Sequence, residues 1–165
     1  MVNWTELESN IEDQVWDRIY KELQFSPGNF KKKQPTFLPP KPYLIFDISH
    51  LYGSNFEELY TNLETTVSQA FINCTEEDEF IYVLDWQHTC YLFNPRLESP
   101  RDEQGEWPIP LYPNGDYYFF IKKDFSFGYI GHPWEERIYI YGPALVEEVK
   151  RQSPKLFTKL IEEQG

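Results

Sequence analysis

Apolar residues recur every four positions at Leu7, Ile11, Val15, Ile19 and Leu23, and Trp16 and Tyr20 widen the stripe. That period predicts an amphipathic helix with one face turned to a core. Ser9 with Glu12, and equally Thr5 with Glu8, fits a capping box, so two starts are open. Asp17 and Lys21 are spaced to pair along the exposed side. Ser26-Pro27-Gly28 ends the helix. Five prolines between residues 26 and 42 then fix φ and remove donors, which predicts an extended connector. Residues 43–48, YLIFDI, read as a short buried strand. Beyond His50 and Gly53, Ser54 with Glu57 opens a second helix. Its inward face is Phe56, Leu59, Tyr60, Leu63, Val67, Ala70 and Phe71.

The remainder changes period. Residues 80–86 are apolar at both parities, the signature of a central strand. Gln87-His88-Thr89 turns the chain, and residues 90–93 return it. Residues 94–113 carry five prolines and read as a long loop, a kind of segment that is often functional or mobile. Asn114-Gly115 signals a turn into a strand over 117–121. Alternation sends Tyr117, Phe119 and Ile121 to one face and Tyr118 and Phe120 to the other. Further strands follow at 125–130 and 137–141, interrupted by Gly131-His132-Pro133-Trp134-Glu135. Gly142-Pro143 opens a helix with Leu145, Val146 and Val149 inward. Ser153-Pro154 reads as an N-cap restarting a helix through Leu156, Phe157, Leu160 and Ile161. The expectation is an α+β fold in one domain over residues 1–165. An antiparallel sheet of about six strands carries helices from the N- and C-terminal parts on one face, in two layers.

Composition narrows the function classes. Lys plus Arg is 15 against 27 for Asp plus Glu, a net charge of -12. The field this creates disfavours nucleic acid and anionic membrane as partners and favours basic partners or simple solubility; a basic protein partner or a small molecule is expected. Residues 51–80 hold Glu57, Glu58, Glu64, Glu76, Glu77, Asp78 and Glu79 with no Lys or Arg. They read as a solvated face or as a docking face for a cationic surface. Lys31, Lys32, Lys33 and Lys41 cluster in the proline-rich connector. No apolar run is long enough to span a membrane, and the first residues lack the pattern of a secretory signal, which points to the cytoplasm. Cys74 and Cys90 do not make a disulfide framework. An exposed aromatic strand edge offers a route to a homodimer.

Dinucleotide, phosphate-loop, zincin and serine-hydrolase motifs are absent, and no cofactor is implied. Two histidine-bearing bends remain, Asp85-Trp86-Gln87-His88-Thr89-Cys90 and His132-Pro133-Trp134-Glu135. Brought together, His88, Cys90, His132 and Asp85 or Glu135 could ligate zinc, but the spacing assures fewer than four ligands and no metal is assigned. The same residues could supply a carboxylate–imidazole base, or simply satisfy loop backbone. Cys90 reads as a small buried hydrophobe. The many Trp and Tyr rings exceed what one core face can use, and such rings favour clefts.

The blocks Trp16-Asp17, Phe46-Asp47, the 85–95 stretch DWQHTCYLFNP, Pro113-Asn114-Gly115-Asp116-Tyr117-Tyr118, and the 127–135 stretch FGYIGHPWE together resemble the bacterial domain-of-unknown-function 2716 family. The resemblance runs from the first helix to about Leu145 and leaves out the tail after Val149. It implies a bacterial, cytoplasmic protein of a family with no assigned activity, and it transfers no catalytic residue.

Two functions are expected. The first is a binding module with an aromatic cleft, of immunity or inhibitor type, whose ligand-binding residues are Trp86, Gln87, His88, His132, Trp134, Glu135 and Tyr118. The second is a small hydrolase or isomerase with Asp85 and His88 as orienter and base and Glu135 as acid.

Overall fold

The computed structural model describes residues 3–27, 35–97 and 106–165. The elements in chain order are β1 (Trp4–Glu6), α1 (Ser9–Glu22), β2 (Tyr43–Asp47), a 3-10 turn (Ser49–Tyr52), α2 (Phe56–Asn73), β3 (Ile81–Asp85), β4 (Tyr91–Phe93), β5 (Tyr118–Ile121), β6 (Gly128–His132), β7 (Arg137–Tyr141), α3 (Pro143–Gln152) and β8 (Lys159–Gln164). The strands form one sheet in the order β1-β4-β3-β5-β6-β7-β2-β8, antiparallel throughout. The α+β class is as the sequence predicts, with eight strands in place of about six.

The two extra strands are the edges. Trp4–Glu6, which overlaps the expected Thr5–Glu8 capping box, instead pairs with β4. The expected C-terminal helix is a strand: Lys159–Gln164 lies along β2. The reason is visible locally. Ser153 adopts a left-handed conformation (φ 48°) and its N–H closes α3 on the Val149 carbonyl, so it is a C-cap and not an N-cap. Leu156 is buried and Phe157 stacks on Phe46, but Leu160 and Ile161 stay half exposed. Their helical spacing therefore serves no core, and the open edge of β2 takes the segment.

The expectation of helices on one face is also corrected. Every residue of β5 and β6 is buried, which requires cover on both sides of the sheet. On one face α2 and α3 pack Leu63, Val67, Phe71, Leu145 and Val149 against Val83, Phe120 and Tyr129. On the other, α1 packs Val15 and Ile19 against Leu84, Phe119 and Ile130. The described ends of the connector complete that second face. Ser26 N–H bonds the Thr36 carbonyl and Leu38 N–H bonds that of Leu23, laying Phe25 against Phe37 with centroids 5.2 Å apart. Lys31, Lys32 and Lys33 lie outside the described residues. Of the long loop, residues 106–113 insert Trp107, Ile109 and Leu111 into the α2 face, and Tyr129 donates to the Leu111 carbonyl at 2.6 Å. Residues 98–105 lie outside the described set.

Helix boundaries are set by contacts other than the expected boxes. Neither α1, preceded by Glu8, nor α2, preceded by Asn55, has a side-chain N-cap bond. The ion pair on α1 is Arg18 with Glu22, and the Arg18 guanidinium stacks 3.9 Å above Phe125. At the far end of α2, Arg96 donates to the carbonyl of Ile72 and to the Thr75 hydroxyl, satisfying the terminal acceptors.

The start of α3 depends on glycine. Gly142 has φ +101°, and a Cβ there would stand 2.3 Å from the Ser126 carbonyl oxygen. Gly142→Ala is expected to cost about 2–4 kcal/mol, combining left-handed strain with a backbone clash. Urea unfolding of the two proteins measures it, and a loss under about 0.5 kcal/mol contradicts this account.

Candidate functional site

The chemistry gathers where β3 ends. Antiparallel pairing puts Asp85 opposite Tyr118 and His132 opposite Arg137. Successive residues face opposite sides, so Asp85 emerges on the α2 face while Trp86, Tyr117 and His132 belong to the α1 face. The two histidine-bearing bends therefore build separate clusters on opposite faces and share no hollow.

The first cluster is Asp85, His88 and Asp116. His88 Nδ1 lies 3.1 Å from Asp85 Oδ1 and 2.8 Å from Asp116 Oδ2. The imidazole is 68% exposed, whereas the carboxylates are 16% and 14% exposed. Tyr117 N–H holds Asp116 Oδ1 at 2.8 Å, leaving Oδ2 to face the imidazole. His88 N–H bonds the Asp85 carbonyl and closes the turn. Burial, reinforced by the hydrogen bond with Asp116, pushes the Asp85 carboxyl up to about 7, while His88 pulls it down. The hydrogen bond to Asp85, then that to Asp116, raises the His88 imidazole above its ordinary value. The protonation of Asp85 and that of His88 are thus linked through their hydrogen bond. Asp116 escaped the sequence reading. Its position just after Asn114-Gly115, at the mouth of a strand, was the available signal.

The second cluster is His132, Glu135, Tyr139 and Thr36. His132 is 3% exposed and sits among Phe37, Tyr117 and Tyr139, with ring centroids 5.8, 5.0 and 6.4 Å away. Its Nδ1 accepts the Glu135 N–H at 3.1 Å, so the proton is on Nε2, which faces Thr36 Oγ1 at 3.0 Å and Glu135 Oε1 at 3.4 Å. Tyr139 donates to the same Glu135 oxygen at 2.6 Å, and Arg137 stands 3.8 Å from the other. Burial lowers the His132 pKa; Glu135 opposes this and Arg137 adds to it. Glu135 is thereby tied to His132 and Tyr139, on the face opposite Asp85.

The remaining expected residues separate as well. Tyr118 is buried and donates to the Asn114 carbonyl. Trp134 is 61% exposed on the β6–β7 turn. Cys90 is buried, with its thiol pushed up to about 12 by desolvation, the state of an inert packing group. Trp86 and Gln87, with Glu12, Asp13, Trp16, Asp17 and Tyr20 of α1, line an open groove of about 460 Å³. Trp86 Nε1 donates to the Tyr20 hydroxyl at 3.2 Å across it. The α1 residues escaped the sequence reading because Trp16 and Tyr20 fit the core stripe. Their acidic neighbours at 12, 13 and 17 mark that edge of the stripe as a rim.

The molecule is thus an α+β domain with an acidic aromatic groove on one face and a carboxylate–imidazole cluster at the other. A model of the family described as protein of unknown function DUF2716 matches residues 6–146, and the chain belongs to that family. The uncharacterized protein YxiI of Bacillus subtilis (strain 168) is 39% identical over 162 residues, covering 95% of this chain and 98% of that protein. No solved structure matches. Among the described residues no helix is long and apolar enough to cross a membrane.

His132 gives a pH prediction with a definite sign. Its folded pKa lies below the unfolded value of about 6.5, so its contribution is complete above that pH and is lost as pH falls through and below it. The raised Asp85 and His88 values act with the opposite sign, but they are common to wild type and His132→Gln and cancel in the difference. Between pH 7 and 5 the wild type should lose stability more steeply than His132→Gln, by up to about 1.4 kcal/mol per pH unit. Parallel stability curves from urea unfolding contradict a buried neutral imidazole.

Proposed function

We propose that the protein is a binding module whose groove between α1 and the end of β3 takes a cationic segment of a protein partner. The observation that carries this reading is the composition of the groove wall: Glu12, Asp13 and Asp17 interleaved with Trp16, Tyr20 and Trp86. A guanidinium or ammonium laid on such rings gains about 0.5–2 kcal/mol from the ring faces, and the carboxylates add charge-assisted hydrogen bonds. The rings are continuous with the core, Trp16 against Phe119 at 5.5 Å and Trp86 against Phe25 at 6.0 Å, so they are ordered before a ligand arrives. The net charge of -12 steers a basic partner toward this face or any other, in keeping with an inhibitor or immunity role. The acidic surface of α2 and the turn after it is the lesser candidate, since Glu58 pairs with Lys155 at 3.4 Å and Glu79 with Lys122 at 3.9 Å.

A second reading, a hydrolase or isomerase, is favoured by one observation, the His88–Asp85 contact at 3.1 Å. Glu135 does not complete it, being bonded to Tyr139 on the opposite face.

The groove is tested with a hexa-arginine peptide titrated against tryptophan fluorescence. The double variant Asp13→Asn with Asp17→Asn should weaken binding about tenfold, and raising salt from about 50 to about 200 mM should weaken the wild type further. Glu57→Gln with Glu58→Gln removes the same charge from α2 and should change little. Equal losses from the two double variants, or none from the first, overturn the groove as the site.

A further inference from the structure

The Asp85–His88–Asp116 cluster lies apart from the groove and answers to different chemistry. We propose that these three side chains bind one divalent transition-metal ion of mixed nitrogen and oxygen preference, of the class of Mn²⁺, Ni²⁺ and Zn²⁺. One nitrogen and two carboxylate oxygens, one from each residue, all lie within 4.8 Å of one another. The nitrogen stands 3.1 and 2.8 Å from the two oxygens. Ligands bonded at about 2.1 Å and at right angles stand about 3.0 Å apart, so these separations match neighbouring corners of one coordination shell. An imidazole in the set selects against calcium and magnesium, which favour all-oxygen shells.

The donors are held from outside the cluster. Asp85 closes β3 and Asp116 precedes β5, and these two strands are paired in register. The second oxygen of Asp116 is fixed by Tyr117 N–H at 2.8 Å, so the first is aimed without further ordering. Trp86 N–H bonds the Tyr117 carbonyl, locking the two strand ends beside the donors. Among the described residues no Lys or Arg pairs with either carboxylate; the His88 imidazole is the partner both share, and an ion bound there takes the place of its Nδ1 proton. The exposed imidazole beside two shielded carboxylates opens the shell on one side, leaving positions for water or a donor from a bound molecule.

The test is calorimetric titration of the chelator-treated full chain with Ni²⁺, then with Mg²⁺. One nickel ion per chain is expected, with magnesium far weaker. His88→Ala and Asp116→Asn should each weaken nickel binding by at least about tenfold. Circular dichroism checks that the variants remain folded. In the wild type, Mn²⁺ should broaden amide resonances of residues 85–88 and 116–118 before any others. The acidic turn of residues 76–79 serves as control: Glu76→Gln with Glu77→Gln should leave the nickel affinity unchanged. No nickel binding at about 1 mM, affinity unaltered in both cluster variants, or first broadening at residues 76–79 overturns the site. The groove reading is untouched by any of these outcomes, because none of the substituted residues lines the groove and its peptide assay is separate.

Discussion

The register between β3 and β5 decides what every polar group at that end of the sheet can meet. Asp85 opposite Tyr118 sends one carboxylate toward the α2 face and brings it beside Asp116, while the next residue, Trp86, goes to the α1 face. A slip by one residue would exchange those sides and dissolve both the cluster and the groove. Leu84 and Phe119 are fully buried on one face, and Val83 and Phe120 on the other. Burying each such side chain contributes about 1.5–3 kcal/mol, whereas an exposed ion pair gives about 0–1 kcal/mol. The apolar interior therefore places the charged groups, and they have little leverage in return.

The same hierarchy explains the His132 block. A buried imidazole is tolerated because both nitrogens are satisfied and aromatic rings enclose it. Through Thr36 it ties the connector to the sheet, and through the Glu135 N–H it shapes the β6–β7 turn. Phe37 from that connector touches Phe25, Tyr117, Phe119 and Tyr139. The histidine thus joins the connector to the sheet where Phe37 packs against Tyr117 and Tyr139. Its role is to hold the α1 face closed, and that face carries the groove.

Much of this was legible in the chain, and the boundary is physical. Helices α1, α2 and α3 and the inner strands follow from strong periods, and the alternation of Tyr117 to Ile121 between faces is as expected. The edge strands were not legible, because an edge has no apolar period to enforce: β8 is exposed at nearly every position. The layer count failed for a related reason. Apolar residues at both parities of β5 signalled two covered faces, yet helix order along the chain does not say which face each helix takes. For the site, Asp85 with His88 was readable as a local turn. Asp116 was not, since its proximity to His88 arises from strand pairing across 28 positions. The separation of His88 from His132 was equally hidden, because it depends on the parity of two strands relative to a third.

Net charge says less about binding than where charge lacks an internal answer. On α2 and its following turn, carboxylates find Lys155 and Lys122. Among the described residues, Asp13 and Asp17 form no such pair, although Lys21 lies one turn beyond Asp17 and Arg18 is adjacent in sequence. Arg18 is instead committed to Glu22 and to the Phe125 ring. Asp13 and Asp17 are left facing solvent beside two indoles and a phenol. A cation arriving there displaces no existing partner, so its attraction is not offset by breaking an ion pair already made. At Glu58 and Glu79 it must compete with a lysine in place. On the proposed reading two surfaces of similar formal charge are therefore unequal, and the difference lies in which carboxylates already hold a lysine.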